Sequence, residues 1–251
     1  MAIVDRLSLQ LFSARAIPVL EDQFALLSKL GYRCVEPYGA LFAEADQLET
    51  LLKRYDMAAP SAHIGLDRVL GDTEATALTA KRLGIELVVV PYIKPEERPT
   101  DAAGWDALGA KLEVAGDVFK KHGLGFAWHN HEFELEALSD GSFPMERLLK
   151  AAPSMGWEID LGWVTRASQD PIAWLNRWKD RILAVHLKDV ASPGEATDEG
   201  GWADVGHGTL DWQQLVAAAK ATSAKYFVVE HDNPNDIERF ARRARETVAS
   251  W

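Results

Sequence analysis

The 251-residue chain has a single cysteine, Cys34, and no long apolar run. One thiol excludes an intramolecular disulfide framework and a Cys-x-x-Cys metal cluster, so we expect Cys34 to be a buried core residue. No apolar run approaches the ~18 residues that a membrane span needs. Residues 1–20 also lack a basic stretch followed by a long apolar run. These features predict a cytoplasmic protein.

Basic residues are in the minority, with 27 Lys and Arg against 38 Asp and Glu and a formal net charge of −11. This balance argues against nucleic acid and against an anionic membrane as partners. The sequence has no Gly-rich dinucleotide or phosphate-binding loop and no Gly-x-Ser-x-Gly hydrolase motif. A small-molecule ligand is the remaining expectation, and a homo-oligomer is compatible with the composition.

Short apolar runs alternate with longer runs of helical periodicity along the whole chain. The apolar runs are typical of strands, because continuous apolar strands have both faces buried, as in a parallel sheet. Strands are predicted at residues 7–13, 34–38, 60–66, 85–93, 124–131, 156–161, 182–188 and 226–230. Helices are predicted at residues 18–30, 44–55, 73–83, 105–122, 145–152, 172–179, 211–221 and 237–248.

Eight such pairs in about 250 residues predict an α/β fold, a (β/α)8 TIM barrel that forms a single domain over residues 1–251. The longest irregular stretch, residues 191–209, lies between the seventh strand and its helix, where barrel loops carry function. Trp163, Trp202 and Trp212 are expected near this mouth, where indole rings pack against sugars.

Polar residues stand at the ends of four consecutive predicted strands. In a barrel these ends converge on one face, so Glu134, Asp160, His186 and Glu230 are predicted to meet there. Three carboxylates and one imidazole suit Mn²⁺, Mg²⁺ or Co²⁺, and Zn²⁺ is also compatible with them. For each residue taken singly, a capping or ion-pairing role is the alternative.

The chain resembles the xylose isomerase-like TIM-barrel superfamily over essentially its whole length. Four segments carry the resemblance: WHNHEFE at 128–134, EIDLGW at 158–163, HLKD at 186–189 and VGHGTLDW at 205–212. The resemblance implies metal ligands at Glu134, Asp160, His186 and Glu230. Within the first segment, His131 and Glu132 are alternatives to Glu134, because a bend after the strand would reorder which side chains face the site.

The resemblance also implies a metal-dependent sugar isomerase or epimerase that moves a proton next to a carbonyl through an enediolate. Glu134 and Glu230 would exchange protons with opposite faces of the substrate. Further side chains are predicted to contact the substrate, with structural roles as the alternative: Glu36, His63, His129, His131, Lys188 and His207. His207 departs from relatives that often place Glu in this motif.

Three other functions stay open. A lyase or dehydratase acting on a keto-sugar, keto-glycoside or inosose would share the first proton transfer, and would also need a general acid such as His63, His129 or His207 facing the leaving group. An endonuclease IV-like phosphodiesterase needs more metal ligands and a DNA-binding surface, which the charge of −11 disfavours. A non-catalytic binding barrel would lack the metal.

Overall fold

The computed structural model describes residues 3–251, and residues 1–2 of the predicted domain lie outside the described residues. Eight parallel strands form one sheet in the order β2-β1-β10-β7-β6-β5-β4-β3. The barrel strands are β1 Leu7–Gln10, β2 Cys34–Glu36, β3 Ser61–His63, β4 Leu87–Val90, β5 Gly125–His129, β6 Gly156–Asp160, β7 Ile182–Leu187 and β10 Tyr226–Val229. The amide of His63 donates to the carbonyl of Pro37 between β2 and β3, so the barrel is nearly closed.

Helices pack outside this sheet, and the predicted TIM barrel is confirmed. The α-helices are α1 Leu20–Lys29, α2 Gly39–Ala43, α3 Ala45–Arg54, α4 Leu66–Gly71, α5 Thr73–Arg82, α6 Ala102–Lys121, α7 Pro144–Ala151, α8 Leu161–Arg166, α9 Pro171–Arg177, α10 Trp212–Lys220 and α11 Ile237–Ala249. Among the described helices, none combines the length and the apolar character needed to cross a bilayer.

The sequence predicts a strict alternation of eight strands with eight helices, and the structure contains additional short elements. Three short helices, α2, α4 and α8, follow strand ends as additions to the predicted set. The stretch 191–209 was predicted to be irregular, but it contributes to an antiparallel pair formed by β8, Asp189–Val190, and β9, Trp202–Ala203. Each of these strands has two residues, which is too short for a periodicity to be visible in the sequence.

Each predicted strand ends one to three residues earlier than expected, and the first and the fifth lead into 3-10 helices. The first ends at Gln10, and Leu11–Ala14 form a 3-10 helix. The fifth ends at His129, and after a turn the chain enters the 3-10 helix Phe133–Leu135. The second difference decides which side chain of the segment 128–134 reaches the barrel mouth.

The barrel interior is apolar at one end and polar at the other. The apolar end is a separate small core that includes Leu87, Val89, Ala127, Ala184 and Tyr226. Because side chains alternate along a strand, the inward positions two residues further on include His129 on β5 and His186 on β7. The barrel interior therefore has a small apolar core beneath a layer of buried titratable groups.

Candidate metal centre

Four buried side chains converge at the carboxyl ends of β5, β6, β7 and β10. His129, Asp160, His186 and Glu230 each offer one ligand atom, and these atoms all lie within 4.8 Å of one another. The register of the sheet explains the meeting, because Asp160 on β6 pairs directly with His186 on β7. The structure thus brings together three of the four predicted ligands, Asp160, His186 and Glu230.

His129 occupies the strand-five position for which the sequence predicted Glu134. The chain turns away from the barrel after His129, and Glu134 lies in the following 3-10 helix, buried completely. Its carboxylate accepts hydrogen bonds from the indole Nε1 of Trp128 at 2.9 Å and from the backbone amide of His131 at 2.8 Å. The structure places Glu134 outside the four-residue group, as a support for the turn that follows β5.

Several donor atoms of the group lie somewhat farther apart than the ligands of one bound ion. The Oδ2 atom of Asp160 is buried without a hydrogen-bond partner. It lies 4.0 Å from Nε2 of His129 and 3.9 Å from Nδ1 of His186. The same Nδ1 of His186 is 3.2 Å from Oε2 of Glu230. Ligands bonded to one ion at ~2.1 Å stand about 3 to 3.5 Å apart. Small adjustments therefore give a site of two imidazoles and two carboxylates.

A second buried group lies beneath the first and shares both imidazoles. His63, His129, Glu158 and His186 also have ligand atoms within 4.8 Å of one another. The Oε2 atom of Glu158 lies 2.6 Å from His63 Nε2, 3.3 Å from His129 Nδ1 and 3.2 Å from His186 Nε2. The 2.6 Å approach is a hydrogen-bond distance, and it is shorter than two ligands of one ion allow. Glu158 is therefore placed to orient the two shared rings from below.

Glu36 was predicted to contact substrate, but the structure buries it completely in this lower layer. The side-chain amide of Gln10 donates to it at 2.7 Å, and the hydroxyl of Ser61 donates to its other oxygen. Its Oε1 lies 2.8 Å from His186 Nε2. Glu36 therefore supports His186, and it does not line the cavity above the centre.

Burial and charge set the ionisation of the centre. Burial would lower the pKa of His186, but Glu158 and Glu36 outweigh it and raise that pKa well above 6.5. Burial would raise the pKa of Glu230, but Lys188 and His186 hold it well below 4.5. Burial raises the pKa of Asp160 to about 7, against the pull of Lys188 and His186. Lys188 and His186 therefore face the carboxylates of the centre as cations, and a bound divalent ion would take the place of the protons on His186 and Asp160.

Lys188 was predicted to contact substrate, and the structure places it behind the carboxylates. Its Nζ lies 3.2 Å from Oε2 of Glu230 and 2.5 Å from Oδ1 of Asp232. The rings of Trp163 and Trp202 lie over it, with centroids 4.9 and 4.5 Å away. Lys188 is only 1% exposed, so it holds the two carboxylates in place and does not face the cavity.

The motif at 205–212 is a structural anchor for the loop after β7. The carboxylate of Asp189 accepts hydrogen bonds from the amides of Val190, Gly206, Gly208 and Leu210, and from the indole of Trp212. A side chain at Gly208 would collide with Asp189. His207, predicted to contact substrate, is exposed on another surface beside Arg239 and Arg243.

A cavity of about 410 Å³ opens directly above the centre. His63, His129 and His131, all predicted to contact substrate, line it together with Glu230. The predictions did not include the other residues that line it: Phe12, Tyr38, Gly39, Gly65, Pro91, Tyr92 and Asp232. Most of these come from loops after strands, where a sequence pattern does not show which side chains face inward.

The fold and this centre define a (β/α)8 barrel with a candidate divalent-metal site at the carboxyl ends of its strands. The chain belongs to the xylose isomerase-like TIM barrel family, whose model matches residues 24–250.

Curated relatives match part of the chain. The rhizopine catabolism protein MocC of Rhizobium meliloti is 27% identical over 162 residues, 58% of this chain and 49% of that protein. An inosose dehydratase of Geobacillus kaustophilus is 27% identical over 173 residues, 66% of this chain and 52% of that enzyme. The chain thus aligns with about half the length of each of these two relatives.

Solved structures match the whole fold at low identity. A sugar phosphate isomerase/epimerase from Parabacteroides distasonis superposes with a TM-score of 0.78 at 18% identity, covering 98% of each chain. The IolI protein with bound zinc has a TM-score of 0.78 at 15% identity, covering 98% of this chain and 97% of that one. A Mycobacterium smegmatis protein in complex with magnesium has a TM-score of 0.76 at 15% identity, covering 100% and 98%. These likenesses confirm the fold.

Proposed function

We propose that the chain is a divalent-metal-dependent enzyme that removes a proton next to the carbonyl of a keto-sugar or keto-cyclitol and then expels an oxygen substituent from the β-carbon. The observation that carries the proposal is the group His129, Asp160, His186 and Glu230 at the floor of a cavity. These four residues would hold the ion, with the unpaired Oδ2 of Asp160 as one ligand. A bound divalent ion supplies a Lewis acid beside the substrate carbonyl.

Glu230 is the base in this proposal. It lines the cavity, is 5% exposed, and is held ionised by Lys188 and His186. It takes the proton from the carbon next to the carbonyl, and the C–H electron pair moves into a new carbon–carbon double bond. When the carbonyl re-forms, the electron pair of the β-carbon–oxygen bond goes to the departing oxygen, which takes a proton from a cavity imidazole or from the protonated Glu230 and leaves as water or an alcohol. An unsaturated ketone remains.

His63 and His131 are placed to assist the leaving oxygen. Both line the same cavity, and an imidazole N–H is a suitable hydrogen-bond donor to a substrate oxygen. His131 is fixed by Tyr92 and Trp163, whose ring centroids lie 5.1 and 5.0 Å away.

The arrangement of carboxylates favours elimination over epimerisation. Inversion between two carboxylates was predicted to use Glu134 and Glu230, but Glu134 is buried and engaged by Trp128 and His131. Two carboxylates line the cavity, those of Glu230 and Asp232. Both contact Nζ of Lys188, so they lie on the same side of the cavity. The inosose dehydratase relative gives the same preference. A sugar isomerase or epimerase is the alternative, and it shares the first proton transfer.

The test is proton exchange and product analysis in D₂O with Mn²⁺ present, across ketoses, inososes and 3-keto-glycosides. We expect deuterium uptake next to the carbonyl together with loss of water or an alcohol, seen by NMR and mass spectrometry. Exchange with inversion or carbonyl migration and no elimination would establish the isomerase or epimerase instead. Absence of exchange on every substrate would contradict both.

A further inference from the structure

The outer part of the cavity has exposed aromatic walls. In the described chain, the exposed large hydrophobic side chains are Phe12, Val19, Leu70, Leu78, Tyr92 and Val114. The two aromatic members of this set, Phe12 at 37% and Tyr92 at 39% exposure, both line the cavity above the centre. Tyr38 also lines it. Exposed aromatic rings that gather at one opening form a surface for a flat or apolar ligand group.

Neighbouring side chains hold these rings in place. Phe12 packs edge-on against Tyr38 with centroids 5.5 Å apart, and the guanidinium of Arg15 lies 3.8 Å from the centroid of Phe12. Tyr92 packs edge-on against His131 at 5.1 Å, and its hydroxyl accepts a hydrogen bond from Arg98 at 3.0 Å. Rings fixed before binding lose little entropy when a ligand stacks on them.

The described residues that line the cavity include no Lys or Arg, and its charged groups are Glu230 and Asp232. A phosphate group is normally met by Arg, Lys or an open helix start. Lys188 is enclosed by carboxylates and indoles. At the start of α4, a Cβ atom on Gly65 would lie 2.7 Å from Oδ1 of Asp67, so a carboxylate already stands there. The residues that line the cavity therefore disfavour a phosphorylated substrate, and the nearest guanidinium groups, Arg15 and Arg98, are stacked on or bonded to the outer aromatic rings.

The volume of the cavity is compatible with a substrate larger than one sugar ring. About 410 Å³ lies within the range of roughly 300 to 1,000 Å³ that is typical of pockets for drug-sized ligands. It leaves room beside a single six-membered sugar ring. The polar centre at its floor suits the ring that reacts, and the aromatic walls suit a second group attached to that ring.

We propose that the substrate is an unphosphorylated keto-sugar or keto-cyclitol carrying an aromatic substituent, which stacks on Phe12 and Tyr92 while the oxidised ring lies on the centre. This inference rests on the proposed function and names the substrate class of the same site. It assigns Phe12 and Tyr92 as the residues that select the substituent.

Binding to the Mn²⁺-loaded enzyme tests the inference without turnover. The probes are phenyl and methyl glucopyranosides in both anomeric forms and glucose 6-phosphate, which have no ketone and so do not react. One anomer of the phenyl glucoside should bind about 3- to 10-fold tighter than its methyl counterpart in calorimetry, as expected for one aromatic stack. Phe12→Ala and Tyr92→Ala should each remove much of that preference by lowering the affinity for the phenyl glucoside more than the affinity for the methyl glucoside. Leu78→Ala, exposed at a site outside the cavity, is the control.

Phenyl glucosides that bind no tighter than methyl glucosides, or do not bind, would overturn the inference. Tighter binding of glucose 6-phosphate than of methyl glucoside would also overturn it, and would direct attention to Arg15 and Arg98. The two proposals fail separately. Deuterium exchange without an aryl preference removes only this inference, and an aryl preference without exchange on any keto substrate removes the proposed reaction.

Discussion

His186 presents one ring nitrogen to the candidate metal group and the other to Glu158. Its Nδ1 lies 3.2 Å from Oε2 of Glu230, and its Nε2 lies 3.2 Å from Oε2 of Glu158. In His129, Nδ1 lies 3.3 Å from Oε2 of Glu158, and Nε2 faces Asp160 of the metal group. Glu158 thus lies beside the second ring nitrogen of both candidate ligands, the position where a ligating imidazole commonly has a carboxylate partner, and Glu36 lies 2.8 Å from the same Nε2 of His186.

Glu158→Gln should weaken metal binding by about 10- to 100-fold, the range seen when a carboxylate that orients a histidine ligand is altered. The amide keeps the size of the side chain but loses the charge that attracts both ring N–H groups. Competition with a fluorescent Mn²⁺ or Zn²⁺ chelator measures the change. An affinity equal to that of the parent chain would show that Glu158 does not position the ligands.

His129→Ala should lower the bound metal to well below one ion per chain, whereas Glu134→Gln should keep it. His129 is in the four-residue group, and Glu134 is engaged by Trp128 and His131 away from it. Elemental analysis of the two purified variants gives the comparison. The opposite pattern, with metal lost from Glu134→Gln alone, would restore Glu134 as the strand-five ligand.

Much of the centre follows from sequence, because strand ends in a barrel share one face. Asp160, His186 and Glu230 were identified in this way. His129 was assigned to substrate contact, because the sequence does not show that β5 ends there. Glu158 lies two residues before Asp160 on β6, so alternation places both inside the barrel. That signal was present, but alternation does not show which other buried groups Glu158 contacts. Cytoplasmic location, absence of nucleic-acid partners and a homo-oligomer stay predictions.

Glu134 should give the stability of the chain a distinctive pH dependence. Burial raises its pKa to about 8, against the hydrogen bonds from Trp128 and His131 that lower it. The folded state therefore keeps a proton that the unfolded chain releases near pH 4.5. Between these values the folded state binds more protons, so the carboxyl group destabilises the fold progressively as pH rises, by up to about 1.4 kcal/mol per pH unit.

The check compares the parent chain with Glu134→Gln in urea titrations at pH 5, 6, 7 and 8.5. The variant loses a hydrogen-bond acceptor and should be the less stable chain at pH 5. Its deficit should shrink or reverse toward pH 8.5, since glutamine does not titrate. A deficit that is constant across this range would mean that Glu134 is ionised throughout.

Lys188→Met should destabilise the fold by about 3 to 5 kcal/mol, the usual consequence of removing one partner from a buried ion pair. Glu230 and Asp232 would then face each other without the ammonium that lies 3.2 and 2.5 Å from them. Urea denaturation of the metal-free protein measures the loss. Adding Asp232→Asn should recover part of it, and a double variant no more stable than Lys188→Met would argue against the shared role.

Glu230→Gln should abolish deuterium exchange next to the carbonyl, because the amide cannot accept the proton. Circular dichroism should show an intact barrel, and Glu134→Gln is the matched control that keeps exchange. Turnover retained by Glu230→Gln would remove its role as the base.

The most direct test of the metal assignment is an anomalous difference map from crystals of the protein soaked in Mn²⁺. We expect one strong peak about 2.2 Å from Nε2 of His129, Oδ2 of Asp160, Nδ1 of His186 and Oε2 of Glu230. A peak on the other side of the two rings, beside Glu158 and His63, or a peak at Glu134, or no peak at all, would contradict it.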